Sequence, residues 1–165
     1  MLEITIRNYE SVDAVETGIL IADTYWKYNL SYVSEDEKEK YLGGFYFSRS
    51  AEKKHMEKVA GLISAPLVII AETAGRIAGV LRGSPGRLHS LFVHEDFHRL
   101  GIGSMLVSHF EDECCKKKTA KITLAASLYA VPFYTSQGYK KSTGVRRSWS
   151  FSGRNFYIQP MKKLL

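Results

Sequence analysis

Apolar and polar residues alternate over residues 2–7 (Leu-Glu-Ile-Thr-Ile-Arg), the two-residue period of a half-buried strand. From Ser11 or Asp13, either of which suits an N-cap, the period lengthens to that of a helix reaching about residue 28. Val15, Ile19, Ala22 and Tyr25 or Trp26 lie on its expected apolar side. Ser34 followed by three carboxylates opens a second helix in capping-box style, polar through Lys40. A third helix is expected over residues 51–63, closed by Pro66.

Beyond Pro66 the period shortens again. Residues 67–73 and 77–82 read as an apolar hairpin about a Gly75-Arg76 turn, and Ser84-Pro85-Gly86 turns the chain into a further strand over 87–93. Then come a helix over 102–117, a strand over 120–126 and a short helix over 129–137 with Gly138 at its C′ position. Two strands near 139–149 and 154–161 end the pattern. Helices that separate apolar strands predict an α/β fold, and the late hairpin predicts a mixed sheet. With 165 residues, 45% hydrophobic content and no linker or repeat, the chain fills one core rather than two, so a single domain over 1–165 is expected.

Charge and cysteine usage narrow the function classes. All 17 acidic residues fall in the first 113, which hold 12 basic ones, a balance of −5; the last 52 carry eleven Lys and Arg and no carboxylate. That cationic third either attracts an anionic cofactor, acidic substrate or nucleic acid, or serves as a solubilising rim. No arginine-rich repeat, zinc-finger spacing or RNP-type aromatic motif accompanies it, so no nucleic-acid partner is expected. Cys114 and Cys115 are adjacent and lack metal-ligand spacing, which predicts neither a disulfide framework nor a metal site. No run approaches the roughly 18 apolar residues of a membrane span, and no apolar leader precedes the first strand; a cytoplasmic protein without a membrane partner is expected.

Two blocks carry candidate chemistry. The first, 91–111, passes from a strand through a turn with two glycines into an amphipathic helix, which leaves unpaired backbone N–H groups at a helix N-terminus beside a strand end, a cradle for a phosphorylated ligand. Gly101 permits a close turn without a Cβ in the ligand's way, and Gly103 is expected to keep the first helical turn open to it. Leu106 stands where a dinucleotide fingerprint has its third glycine, and no P-loop lysine is present. The second block is Leu124-Ala-Ala-Ser127-Leu-Tyr129-Ala130-Val-Pro-Phe133-Tyr134-Thr-Ser-Gln-Gly138-Tyr139.

Together these blocks resemble the GCN5-related N-acetyltransferase (GNAT) superfamily. His98-Arg-Leu-Gly101-Ile-Gly103 matches the family's pyrophosphate motif at both glycines, with His98 where the motif has glutamine or arginine; Ser127 stands at a position that is frequently asparagine. The resemblance implies a GNAT-like mixed central sheet flanked by helices, with two splayed parallel strands, about 88–94 and 120–126, forming an acyl-CoA cleft. It implies acetyl-CoA as acyl donor, held by backbone groups of Leu91, Phe92 and Val93 along the pantetheine arm and by His98, Arg99, Leu100, Gly101, Ile102, Gly103 and Ser104 at the pyrophosphate, with Ser127 and Ala130 beside it. Tyr134 corresponds to the usual general acid. His89, four residues before Val93 and so expected on the same sheet face, is the candidate base, and a packed polar strand residue is the other reading of it.

The acceptor implied is a primary amine of a small molecule, peptide or protein, approaching between the N-terminal helices and the late hairpin. There Tyr25, Trp26, Tyr28, Tyr32, Phe45 and Tyr46 offer aromatic walls or simply core. Glu72 either orients the substrate or caps a hairpin end, and Glu35, Glu37 and Glu39 are not separable as bases. A homodimer through the late strands is common for such folds. A CoA-binding regulatory domain without catalysis, or a basic nucleic-acid binder, is the alternative to an enzyme.

Overall fold

The computed structural model describes residues 2–165. Eight strands form one mixed sheet: β1 (Thr5–Asn8), β2 (Leu67–Thr73), β3 (Arg76–Ser84), β4 (Arg87–Val93), β5 (Lys121–Ser127), β6 (Lys140–Lys141), β7 (Arg146–Ser150) and β8 (Gly153–Leu164). The order is β1-β2-β3-β4-β5-β8-β6, with β7 also paired to β8, and β4 with β5 is the parallel pair. The helices are α1 (Ala14–Thr24), α2 (Lys38–Leu42), α3 (Lys53–Ile63), α4 (Ile102–Lys116) and α5 (Val131–Ser136).

Strand alternation feeds two cores. Ile69, Leu81, Leu88, Ile122 and Leu124 face α4, where Leu106, Val107 and Phe110 cover them. Ile70, Ile77 and Val80 face the other way, under Leu20, Ile21 and Ala22 of α1 and Val59 and Ile63 of α3. The sheet is thus the middle of three layers, the expected α/β arrangement.

The buried side of α1 agrees with the expected one at Ala22 and departs from it at Val15. Thr17, Gly18, Leu20, Ile21 and Ala22 are buried and Val15 is exposed. The cause is close helix contact: a Cβ on Gly18 would lie 2.5 Å from Val59 Cγ1, so α1 docks on its smallest residue. The strand expected over 139–149 is two short strands separated by residues 142–145.

Two features position the cleft. β4 and β5 pair only at Arg87 and Thr123, where Thr123 N–H donates to the Gly86 carbonyl at 3.0 Å; beyond that point they diverge. α1 then runs into a π-helical turn over Tyr25–Asn29, closed by Leu30 N–H to Tyr25 C=O at 3.0 Å, which carries Tyr28 and Asn29 to the mouth of the gap.

Candidate active site

The gap between β4 and β5 is lined with unused backbone. His94 N–H donates to Ala78 C=O, so ladder alternation turns the N–H groups of Leu91 and Val93 away from β3 and toward the gap. The loop after β4 adds more. Arg99 and Gly101 both have positive φ, 62° and 78°, and Gly101 is the N-cap of α4 with no side chain capping the helix. The N–H groups of residues 99–104 find no acceptor among the described residues, and no acidic residue sits in the first turn of α4. Six consecutive free donors at the positive end of a 15-residue helix form an anion cradle.

The two glycines of this loop do different work. A Cβ at Gly101 would meet nothing within 4 Å, so the space beside it is open. At Gly103 it would lie 3.1 Å from the Phe133 ring, so this glycine lets α4 and α5 pack, rather than keeping the helical turn open as its sequence context suggests.

A cavity of about 670 Å³ follows this backbone. Leu91, Phe92, Val93, His98, Arg99, Gly101, Ile102, Gly103, Ser104, Ala130 and Tyr134 line it; Leu100 points to solvent outside it. A second cavity, about 290 Å³, lies between α1 and the β7–β8 hairpin, walled by Tyr25, Phe45, Phe92, Trp149, Phe151 and Phe156, with His89, Arg82, Ser90 and Ser127 among its polar groups. Asn29, Leu91, Phe92, Ala130 and Tyr134 belong to both cavities, so they meet at the gap. No carboxylate lines either one.

Tyr134 is buried at the meeting point, and its hydroxyl has no hydrogen-bond partner among the described residues. Burial raises its pKa well above that of free tyrosine, so it stays protonated at neutral pH. His89 lies on the wall of the smaller cavity, with Nε2 3.3 Å from Ser84 Oγ. Its desolvation, with Arg82 and Arg87 nearby, lowers its pKa below 6.5, which keeps it neutral.

The expected common face of His89 and Val93 is not found. Arg82 opposes Ser90 and Gly83 opposes Leu88, so His89 is the extra residue of a β-bulge. The bulge leaves Leu91 and Val93 on the α4 side and gives His89 and Ser90 to the face of Ser84 and Arg82.

His98 lines the larger cavity with one ring nitrogen engaged. Its Nε2 contacts the Val93 carbonyl at 2.8 Å and its ring packs on Tyr28 with centroids 5.0 Å apart, which fastens the loop to the end of β4. Ser127 Oγ accepts from Asn29 Nδ2 at 2.7 Å, a clasp between the π-helical turn and the end of β5. Ser150 Oγ donates to Tyr41 C=O and accepts from Tyr25 Oη at 2.6 Å, fixing Tyr25 in the smaller cavity's wall.

Other candidates fall elsewhere. Glu72 is held by Arg7 at 2.8 Å, Glu35 and Glu37 pair with Lys38 and Lys40, and His94 caps the turn at Asp96 N–H. Among the described residues, no group of three His, Cys, Asp or Glu is placed to hold a metal ion. Asn29, Arg82, Trp149, Phe151 and Phe156 escape sequence reasoning. Asn29 depends on the π-helical turn, Phe151 on the turn between β7 and β8, and the rest on which way a strand faces.

The sequence matches the family of acetyltransferase (GNAT) domains over residues 33–165. The chain belongs to the GNAT acetyltransferase family. Acetyl-CoA-dependent acetyl transfer is the reaction of that family, and acetyl-CoA is the co-substrate. Solved GNAT structures share the fold over nearly the whole chain. A GCN5-related N-acetyltransferase from Rhodopseudomonas palustris is 22% identical with a TM-score of 0.78, covering 100% of this chain and 98% of that one. The PaiA N-acetyltransferase from Thermoplasma acidophilum, solved with coenzyme A, is 17% identical with a TM-score of 0.72 and 99% coverage of both. The ribosomal-protein-alanine N-acetyltransferase from Brucella melitensis is 17% identical with a TM-score of 0.64, covering 98% and 99%. No curated protein matches the sequence. The larger cavity suits a GNAT co-substrate: its free N–H groups match a pyrophosphate, and the void beside Gly101 leaves room for one.

Proposed function

We propose that the protein transfers the acetyl group of acetyl-CoA to a primary amine of a small molecule, peptide or protein by direct attack in a ternary complex, through one domain spanning 1–165 and in the cytoplasm. The observation that carries this reading is the junction of the two cavities at Tyr134 and the free edge of β4. Such a junction lets donor and acceptor be present together, as a direct transfer requires.

Acetyl-CoA supplies a thioester whose carbonyl carbon is open to an amine. The chain's residues do the rest. Free N–H groups of Arg99 through Ser104 hold the diphosphate, and the Arg99 guanidinium adds a charge-assisted contact. The gap-facing N–H groups of Leu91 and Val93 align the donor and polarise the acyl oxygen. His89, neutral at pH 7, takes the proton that the amine must lose, directly or through water. Tyr134 Oη donates a proton to the departing sulfur.

The test is stoichiometric. With a panel of amines, peptides and amino sugars, thiol release measured with DTNB should match N-acetylated product measured by mass spectrometry, one for one. Saturable acetyl-CoA binding with no acetylated product from any acceptor would reject transfer in favour of a non-catalytic acyl-CoA-binding domain.

The cradle has its own test. Gly101→Ala should weaken CoA binding about 10- to 100-fold, the worth of one lost hydrogen bond to a charged group. The fold should lose only about 1–2 kcal/mol, because φ at this position is positive. Calorimetric titration with CoA and a thermal melt separate the two effects, and an unchanged Kd would remove the diphosphate from this loop.

A further inference from the structure

Arg82 is half-buried on β3, lines the smaller cavity, and has no carboxylate partner. Its Nε donates to the Ile63 carbonyl at 2.8 Å and its Nη1 to Ser90 Oγ at 3.3 Å. A guanidinium has five N–H donors, so three remain, and these meet no acceptor among the described residues. Arg7, also half-buried, is by contrast held by both Asp13 and Glu72. Withdrawing a cation from water without a carboxylate is costly, and at Arg82 folding returns only the contacts to Ser90 and to the last carbonyl of α3.

The surroundings add to the imbalance. Arg87 and His89 lie nearby, and no carboxylate lines the cavity. Burial lowers the pKa of Arg82 itself. The other walls are mainly aromatic, Tyr25, Phe45, Phe92, Trp149, Phe151 and Phe156, with the neutral polar groups of Asn29, Ser90, Ser127 and Ser150 among them. A purely cationic amine finds no carboxylate there.

We propose that Arg82 determines acceptor specificity: the substrate is a primary amine on an apolar body that also bears a carboxylate, gripped by the free edge of the guanidinium. This rests on the reading of the smaller cavity as the amine's site. Arg suits the role because its two terminal nitrogens present parallel N–H bonds at the spacing of carboxylate oxygens. The aromatic walls take the body, and the anchored acid fixes the amine's distance from Tyr134.

A matched pair of acceptors tests the assignment. Phenylalanine and 2-phenylethylamine share an aromatic body and a primary amine and differ in the carboxylate. In the wild-type protein kcat/KM should favour phenylalanine about 10- to 100-fold, the value of a hydrogen-bonded ion pair. That ratio should collapse toward 1 in R82M and recover in part in R82K. A ratio that is unchanged in R82M overturns the proposal. Binding of 3-phenylpropionate, which has the acid and no amine, is read independently of chemistry by calorimetry with CoA present. It should saturate the wild-type protein and vanish in R82M; no binding to the wild-type protein also overturns the proposal. If no amine is acetylated yet 3-phenylpropionate binds through Arg82, the transfer reading fails and the carboxylate site stands. Should R82M not fold, R82K and the wild-type binding measurement decide.

Discussion

Tyr134→Phe is expected to lower the single-turnover rate of acetyl transfer by about 100- to 1,000-fold, within the range of a lost general acid. The expectation follows from position and protonation together. The ring is buried where the two cavities join, so the substitution keeps its packing against Phe133 and Tyr139. The hydroxyl has no protein partner to orphan, so the melting temperature should hardly move, and acetyl-CoA Kd should stay within a few-fold. Burial keeps the hydroxyl protonated throughout the working pH range, so no alkaline limb of activity should trace to it. Rapid-quench measurement of the chemical step is the check; a Phe variant with the wild-type single-turnover rate would remove Tyr134 from the reaction.

His89→Gln should cost about 100-fold in kcat/KM and abolish an acidic limb of its pH profile. A base works in its neutral form, so activity is full above the imidazole pKa and falls as pH drops through it. Desolvation, then Arg82 and Arg87, push that pKa below 6.5, so the plateau should extend to correspondingly lower pH. The polar neighbour in contact is Ser84, and no carboxylate faces the ring to oppose this shift. Removing a cation in R82M should move the limb to higher pH. The amine's own ionisation is separated by using two acceptors of different basicity: the limb that stays in place belongs to the enzyme. If the glutamine variant retains that limb, His89 is a strand residue with no part in proton transfer.

Much of the fold is legible in the sequence. The hairpin of β2 and β3, the long helix α4 and the cradle between β4 and α4 follow from period, turn residues and two glycines, all local signals. What escaped depends on contacts between distant segments. One extra residue in β4 moves His89 to the other face, and nothing in Arg-Leu-His-Ser-Leu marks it, since bulges need neither glycine nor proline. The face that α1 buries is set by how closely Gly18 lets it approach Val59, which a hydrophobic period cannot anticipate. Asn29 is invisible for the same reason: a π-helical turn and a serine 98 positions away give it a place in the site. Arg82 reads as an ordinary polar strand end until its neighbours are known to be aromatic rather than acidic.

The single position at which β4 and β5 pair, among the described residues, is the pivot about which their gap would open or close. Gly86 C=O receives both the Thr123 amide and its hydroxyl, and Arg87 reaches back to that hydroxyl at 3.3 Å. From there to the end of β4 is about 20 Å of extended chain, so a rotation of only about 3° at the pivot displaces the far end by about 1 Å, enough to spoil a reacting geometry. Alignment is therefore leveraged from a knot outside both cavities, and a loosened Thr123 would blunt the reaction while leaving every group that performs it chemically intact.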